Sequence, residues 1–402
     1  MEGPCGGNRR QFLKTTAVAG ATLASADSLL AAPPKSPIPT VTLGKTGVQV
    51  TRLGMGTSWK IDEAYFQRAI LGGVRYIDTS ETYENGNSER IIGKVLDRAG
   101  LRKDVYLVSK NQVYSRTKGP ERARAIAAHL QASLERLKTD YVDCYYLHGV
   151  RGRDIEVFRD DEVIKAFEAL KKSGKIRFAG FSCHDPMLPE IVEAATEAGW
   201  LDQMMIQYNF RTMDEDKVKR AVDKASRARL GIVAMKTQGG AKEFRPGEAV
   251  PRINALLDKG FKVHQAAIKA VYGDDRVHAV VSEMTNFDEL RENTGAAVEP
   301  ITAKEARLLE EHRVLTANRY CHGCGHLCET AAKGVPVATV LRYYRYYEAY
   351  GKREAARALY QALPPESRAI ADLNLPDVDA ACPHGLPVAD LLRAADLRLG
   401  QA

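Results

Sequence analysis

GVRYIDTSETYENGNSE, residues 73–89, is the stretch whose reading decides the fold. An apolar run suited to a buried strand ends in Asp78, Ser80, Glu81 and Tyr83, then opens into a Gly/Asn turn that leads to a helix. Ionisable chemistry therefore stands at the carboxyl end of a strand, where parallel α/β folds place their active sites. The plainer reading is that Asp78 caps the turn and Tyr83 packs its ring on the rim of the fold.

Working outward, the same strand-then-helix order recurs. Strands are predicted near 51–56, 73–77, 104–109, 142–147, 175–181, 203–207, 230–234 and 277–281. Helices are predicted at 62–71, 87–98, 121–137, 159–172, 188–198, 215–227, 263–271 and 286–293. The strand runs lack clean polar alternation, as expected where helices cover one face and barrel filling the other. Between Arg122 and Lys138, Ile126, Leu130, Leu134 and Leu137 recur at helical spacing while Arg124, Gln131 and Glu135 face water. Eight such pairs over roughly 250 residues predict an α/β fold of the (β/α)8 barrel type. A doubly wound nucleotide fold is the competitor, but Gly54-Met55-Gly56 lacks the later glycine of its fingerprint. Ahead of the barrel, Val41–Leu43 and Val48–Val50 flank Gly44-Lys45-Thr46-Gly47 and predict a hairpin that caps one end.

The chain has 402 residues, 58 of them basic and 51 acidic, for a net charge of +7. No basic stripe interleaved with aromatics is present, which argues against nucleic acid as a partner. Asn8-Arg9-Arg10-Gln11-Phe12-Leu13-Lys14 precedes a mildly apolar run to Ala32, and Pro33, Pro34, Pro37 and Pro39 follow. This layout resembles a twin-arginine export signal over 1–32, with a proline-rich linker at 33–40. Periplasmic or other extracytoplasmic location is the expectation, with a cytoplasmic protein if the arginine pair is fortuitous. No segment approaches the roughly 20 apolar residues of an integral membrane span.

Four residues fall at predicted strand ends: Asp78, Tyr83, Lys110 and His148. Tyrosine ordinarily titrates at about 10. A nearby ammonium is expected to lower that value, with Asp78 holding Lys110 charged and oriented. His148 can donate to a carbonyl oxygen while Tyr83 delivers a proton to it. Each taken alone has a structural alternative, a surface lysine or a hydrogen-bonded core histidine.

Together with LGKTG, Gly180-Phe181-Ser182-Cys183-His184, Gln207-Tyr208-Asn209 and Leu290-Arg291-Glu292-Asn293, these residues resemble the aldo-keto reductases across 41–300. The resemblance implies a catalytic tetrad of Asp78, Tyr83, Lys110 and His148, a small carbonyl or alcohol substrate, and NADP(H) across the barrel mouth. It implies further that Ser182 and Gln207 hold the carboxamide and that Met235, Lys236 and Thr237 lie beside the ribose and pyrophosphate. Ser282 and Asn293 would flank the adenosine end. Cys183 departs from the family pattern, as do Glu283 and Glu289. A carboxylate repels a 2′-phosphate but accepts ribose hydroxyls, so NAD(H), or a decayed nucleotide site in a non-catalytic subunit, stands as the alternative.

The chain holds seven cysteines, and those near the C-terminus are clustered. Cys144 and Cys183 fall in apolar runs and are expected to pack as small hydrophobes. Cys321, Cys324 and Cys328 are spaced C-x2-C-x3-C, and Cys382 precedes Pro383. Such thiols can converge on one soft metal centre, and Cys-Pro is a usual last ligand of a bacterial cluster. Residues 301–402 resemble the ferredoxin-like C-terminal extension of a subgroup of the same family, which implies a helical module with one [4Fe-4S] cluster and an electron-transfer partner. The alternative is a structural zinc held by four thiolates, or by three with His322, His326 or His384. Lys304–Thr316, Val337–Tyr350 and Lys352–Leu363 are predicted helices, the last two parted by Gly351.

Overall fold

The computed structural model describes residues 38–59, 61–239 and 262–401. The predicted signal, the linker through residue 37 and the His326 side chain lie outside them.

A two-stranded antiparallel hairpin, β1 (Thr40–Thr42) and β2 (Gln49–Thr51), precedes the barrel strands. These are β3 (Leu53–Gly56), β4 (Tyr76–Asp78), β5 (Tyr106–Asn111), β6 (Val142–Leu147), β7 (Ile176–Cys183), β8 (Gln203–Gln207), β9 (Gly231–Met235) and β10 (Ala279–Glu283). All pair in parallel in chain order, and β10 closes the barrel onto both β9 and β3, with Val280 opposite Leu53 and Ala234. Helices α1 (Glu63–Leu71), α2 (Asn87–Ala99), α3 (Gly119–Leu137), α4 (Asp161–Lys172), α5 (Leu188–Ala198), α6 (Asp216–Arg227), α7 (Val263–Tyr272) and α8 (Phe287–Val298) alternate with them. The expected (β/α)8 architecture is present.

The strand periodicity that the sequence hides appears once the two apolar cores are separated. Tyr76, Tyr106, Val108, Cys144, Tyr146, Met205, Val233 and Val281 fill the barrel interior. Ile77, Leu107, Tyr145 and Leu147 point outward under the helices. Because strand side chains alternate with period two, Asp78 follows Tyr76 inward, Lys110 follows Val108, and His148 follows Tyr146. Both faces are apolar, so alternation carries no polarity signal.

The hairpin plugs the amino-terminal end of the barrel, with Leu43 and Val50 joining the interior cluster. Gly44 is backbone-positive at φ +50°, and a Cβ there would lie 2.4 Å from the Gly231 nitrogen, so the plug seats only with glycine. Two predicted strand starts move for physical reasons. Thr51 belongs to the hairpin, where it pairs with Thr40. Gly73 and Val74 finish α1, their N–H groups donating to the carbonyls of Ile70 and Ala69.

Beyond the barrel come α9 (Ala303–Leu315), α10 (Gly325–Ala331), α11 (Val337–Glu348), α12 (Arg353–Gln361), α13 (Leu375–Ala380) and α14 (Val388–Leu399). The Thr302 hydroxyl and Glu305 form a capping box that starts α9. Gly351, at φ +66°, parts α11 from α12 as predicted. Helices α10 and α13, of seven and six residues, are too short to show a period, whereas α14, whose Val388, Leu392, Ala395 and Leu399 recur at helical spacing, was not read from the sequence. The last five helices share an apolar cluster of their own, with Val340, Leu341, Tyr360, Val378 and Leu392 at its centre.

Candidate active site

The turn after β4 is pinned from both sides before it presents any reactive group. Thr57 Oγ1 donates to the Asp78 carbonyl at 2.8 Å, and Ser88 at the start of α2 contacts both Thr57 and Thr79 through hydroxyls at 2.8 Å. Tyr83 then opens a short 3-10 turn whose Glu84 and Asn85 adopt φ of 51° and 55°, with Gly86 at 80°. That left-handed run is the Gly/Asn turn expected from sequence.

Inside the mouth the four strand-end residues converge. Lys110 Nζ lies 2.6 Å from Asp78 Oδ1, donates to the Thr79 carbonyl at 2.7 Å and to Tyr83 Oη at 3.1 Å. The Lys110 side chain is 1% exposed and Asp78 5%, so the ammonium is directed by its partners and not by water. The His148 ring stands edge-on to Tyr83, with centroids 5.5 Å apart. Its Nδ1 is 3.0 Å from Ser80 Oγ, and the His148 carbonyl accepts from Tyr114 Oη at 3.1 Å. Tyr114 thus braces the histidine from behind.

Burial sets the electrostatics. It pushes the Asp78 carboxyl up and the Lys110 ammonium down, and each partner's charge offsets the other's shift. Burial, with the Lys110 and Lys236 charges, drives His148 well below the ordinary imidazole value, so the ring is neutral. Tyr83 moves opposite to the sequence expectation: desolvation, then Asp78, Glu283 and Tyr346, raise it well above 10. The adjacent ammonium does not overcome the loss of water around a phenolate. A phenol so placed holds its proton until a developing oxyanion takes it.

The residues assigned to a nucleotide ring the same mouth. Ser182 Oγ accepts from the Gly149 nitrogen at 2.9 Å, which leaves its own proton free to donate. Gln207 ends β8, and Met235, Lys236 and Thr237 follow along and beyond β9, Lys236 at φ +56°. Asn293 Nδ2 donates to Ser282 Oγ at 3.0 Å, both residues being buried. The two glutamates do not simply face solvent. Glu289 turns back on its own helix start and accepts from Thr285 N and Oγ1 at 2.8 and 3.2 Å. Glu283 accepts from Ser58 Oγ at 3.2 Å, and burial raises it to about 7 against the pull of Lys352.

Residues 60–314 match the model of the Aldo/keto reductase family. The chain belongs to that family. Relatives of this reductase include the uncharacterized oxidoreductase YqkF of Bacillus subtilis, 25% identical over 67% of this chain and 95% of that one. Methylglyoxal reductase YeaE of Escherichia coli is 39% identical over a shorter stretch, 34% of this chain and 46% of its own. Among solved structures, an aldo/keto reductase from Klebsiella pneumoniae in complex with NADP and acetate is 25% identical with a TM-score of 0.54. It covers 68% of this chain and 94% of its own. The holo form of an aldo-keto reductase from Bacillus halodurans is 26% identical, with a TM-score of 0.55 and coverage of 68% and 96%. As a member of the family the chain is an oxidoreductase.

Beyond the barrel lie the C-terminal cysteines. Cys321, Cys324, Cys328 and Cys382 line one narrow recess with His322, His384, Val337, Leu341 and Leu386. The His322 and His384 rings stack at 3.9 Å. Among the described residues no group of three His, Cys, Asp or Glu side chains is placed to hold a metal ion. No helix of the described residues is long and apolar enough to cross a membrane.

Sequence reasoning missed Ser58 and the contribution of α11 and Lys352 to the barrel mouth. Nothing local ties residues near 346 to residue 59.

Proposed function

We propose that this aldo/keto reductase reduces an aldehyde or ketone, or runs the reverse alcohol oxidation, with a nicotinamide nucleotide as hydride carrier. The single observation that carries the reading is the continuous contact from Asp78 through Lys110 to Tyr83 Oη, with neutral His148 beside the phenol. Reduced nicotinamide, when bound, supplies the hydride. Tyr83 gives its Oη proton to the carbonyl oxygen as negative charge develops there. His148 donates N–H to the same oxygen, and Lys110, held by Asp78, stabilises the phenolate that Tyr83 becomes. Ser182, Gln207, Met235, Lys236, Thr237, Ser282 and Asn293 are the positions proposed to hold the nucleotide. NADP(H) is favoured over NAD(H) because the Glu289 carboxylate is engaged by Thr285 instead of being presented to a 2′-phosphate. The NADP bound by the Klebsiella relative supports the same choice.

Titration with NADPH and NADH tests this reading. Tighter binding of NADPH is expected, and absence of binding for either nucleotide in folded protein would reject a nicotinamide-dependent reductase.

For the C-terminal helices the proposed group is one [4Fe-4S] cluster on Cys321, Cys324, Cys328 and Cys382. Four thiols on one apolar recess, the last followed by proline, fit that donor set. A lone zinc ion would need its ligands gathered within roughly 2.3 Å of one point, whereas a cluster spreads its thiolates over four irons. The cluster is preferred to zinc on the Cys-Pro ending of the donor set. Such a group supplies one-electron chemistry, and an external electron partner belongs to the proposal. Iron and zinc analysis of anaerobically purified protein decides it, stoichiometric zinc without iron being the adverse result. Twin-arginine export to the periplasm is proposed from Arg9 and Arg10 with their flanking residues; retention of an Arg9→Lys, Arg10→Lys variant in the cytoplasm is the expected result.

A further inference from the structure

The family match ends at residue 314, yet α11, which begins at residue 337, reaches the barrel mouth. The contact is made on Trp59. Gly56, at the end of β3, lies in register with Asp78 on one side and with Glu283 on the other, so the chain leaves the barrel beside the reacting groups. Thr57 donates to the Asp78 carbonyl at 2.8 Å, and Ser58 reaches Glu283 at 3.2 Å. Trp59, half-buried, follows them at the rim.

Two groups from beyond the family match hold its indole. Tyr346 meets it edge-to-face with centroids 5.6 Å apart, and Lys352 Nζ sits 5.2 Å from the centre of the same ring. Gly351, at φ +66°, turns the chain back so that Lys352 N donates to the Tyr346 carbonyl at 2.9 Å, which brings both groups to one side chain. Tyr346 is supported in turn by Tyr343 and Tyr350, with ring centroids at 6.2 and 6.0 Å. Spacings of three and four place these tyrosines in one row, while Val340, Leu341 and Tyr347 enter the apolar cluster of the C-terminal helices.

A second brace fixes α11. Arg345 Nη2 donates to the Cys321 carbonyl at 3.3 Å, and its guanidinium lies 4.4 Å over Tyr320, whose ring also carries Arg211 at 4.8 Å. Arg211 donates to the Gly239 carbonyl at 2.8 Å, in the loop beyond β9. The helix is thereby tied to the loops after β3 and β9. An indole clamped between a ring and an ammonium cannot turn away from an entering molecule without breaking both contacts. The charges of Tyr346 and Glu283 both help to raise Tyr83, which agrees with their standing near the phenol.

We propose that Tyr346 is a specificity-determining residue: with the Trp59 it clamps, it walls the mouth and confines the site to compact carbonyl substrates, excluding ring-bearing ones. The size limit rests on the carbonyl-reductase reading; the clamp on Trp59 does not.

The chain has two tryptophans, so full-length protein carrying Trp200→Phe reports from Trp59 alone. In that background Tyr346→Ala should make Trp59 emission more readily quenched by acrylamide. The ratio of kcat/KM for 1-naphthaldehyde over propanal, with NADPH, should rise about tenfold or more. Tyr346→Phe, which keeps the ring, should keep the low ratio and the protected indole. An unchanged ratio in Tyr346→Ala overturns the size limit, as does an equal rise in Tyr346→Phe. A change confined to NADPH affinity overturns it too, and gives α11 to the nucleotide instead. Unchanged quenching overturns the clamp. If Tyr346→Ala does not fold, Lys352→Ala releases the other half of the clamp and is held to the same two outcomes. Reduction of neither aldehyde by any of these proteins would defeat the carbonyl-reductase reading and the size limit with it, whereas a rise in quenching would leave the clamp standing.

Discussion

Ser80 Oγ lies 3.0 Å from Nδ1 of His148, and the serine is fully buried. Its single proton has three acceptors in reach: the imidazole, Thr82 Oγ1 at 3.0 Å and the more distant Lys110 carbonyl at 3.4 Å. Donation to Nδ1 leaves the ring proton on Nε2, the nitrogen free to face a carbonyl oxygen. Ser80→Ala is expected to release that tautomer and lower kcat about tenfold while nucleotide affinity stays within about twofold. Nitrogen-15 shifts of His148 read the tautomer directly. An unchanged Nε2–H form in the variant would remove the serine from this role.

Tyr83→Phe deletes the proton donor while leaving the ring that Lys110 and His148 pack against. Carbonyl reduction is expected to fall by about 10²–10⁴-fold. Nucleotide binding, measured by fluorescence titration, should survive. Turnover within a few-fold of wild type would assign the acid elsewhere.

Lys110→Met strands the Asp78 carboxylate among Thr79, Tyr76 and the barrel interior. Removing one partner of a buried pair costs about 3–5 kcal/mol, so chemical denaturation should show a loss of that order. Adding Asp78→Asn removes the stranded charge, and the double variant should recover part of the loss. Additive losses would mean that the two groups do not act as a pair. Activity should be lost in both variants, because the recovered stability does not restore an ammonium at Tyr83.

The barrel was legible because eight apolar runs alternate with amphipathic helices, and the tetrad because strand ends collect polar residues after those runs. What was not legible follows from burial and from distance. Tyr83 was expected to titrate low beside an ammonium, but the sequence does not record how completely the site excludes water. Glu289 was expected to face a nucleotide or solvent; its bond to Thr285 is a helix-start feature that Thr-x3-Glu spacing carries only weakly. The pairing of Tyr346 with Trp59 spans nearly the whole barrel and leaves no periodic trace. Strand starts shifted at Thr51 and Gly73 because a hairpin and a helix end claimed those backbone groups first.

Glu283 offers a test of the mouth through pH. Burial raises its carboxyl from the ordinary 4.5 to about 7, an effect Lys352, Ser58 and the Trp59 backbone only partly offset. Between those two values the unfolded chain has released a proton that the folded chain retains. Stability therefore falls as pH rises through this window, since the folded state binds more protons. Below 4.5 both states hold the proton and the group contributes nothing. Above about 7 both have lost it, and the cost of the buried charge is fully present. Glu283→Gln keeps the shape and an acceptor for Ser58 without the charge. Its thermal midpoint should match wild type in acid, gain steadily across the window, and hold a constant advantage beyond it. A difference independent of pH would show that the carboxylate is solvated in the folded protein, and a variant less stable at alkaline pH would show that the attraction of Lys352 outweighs burial.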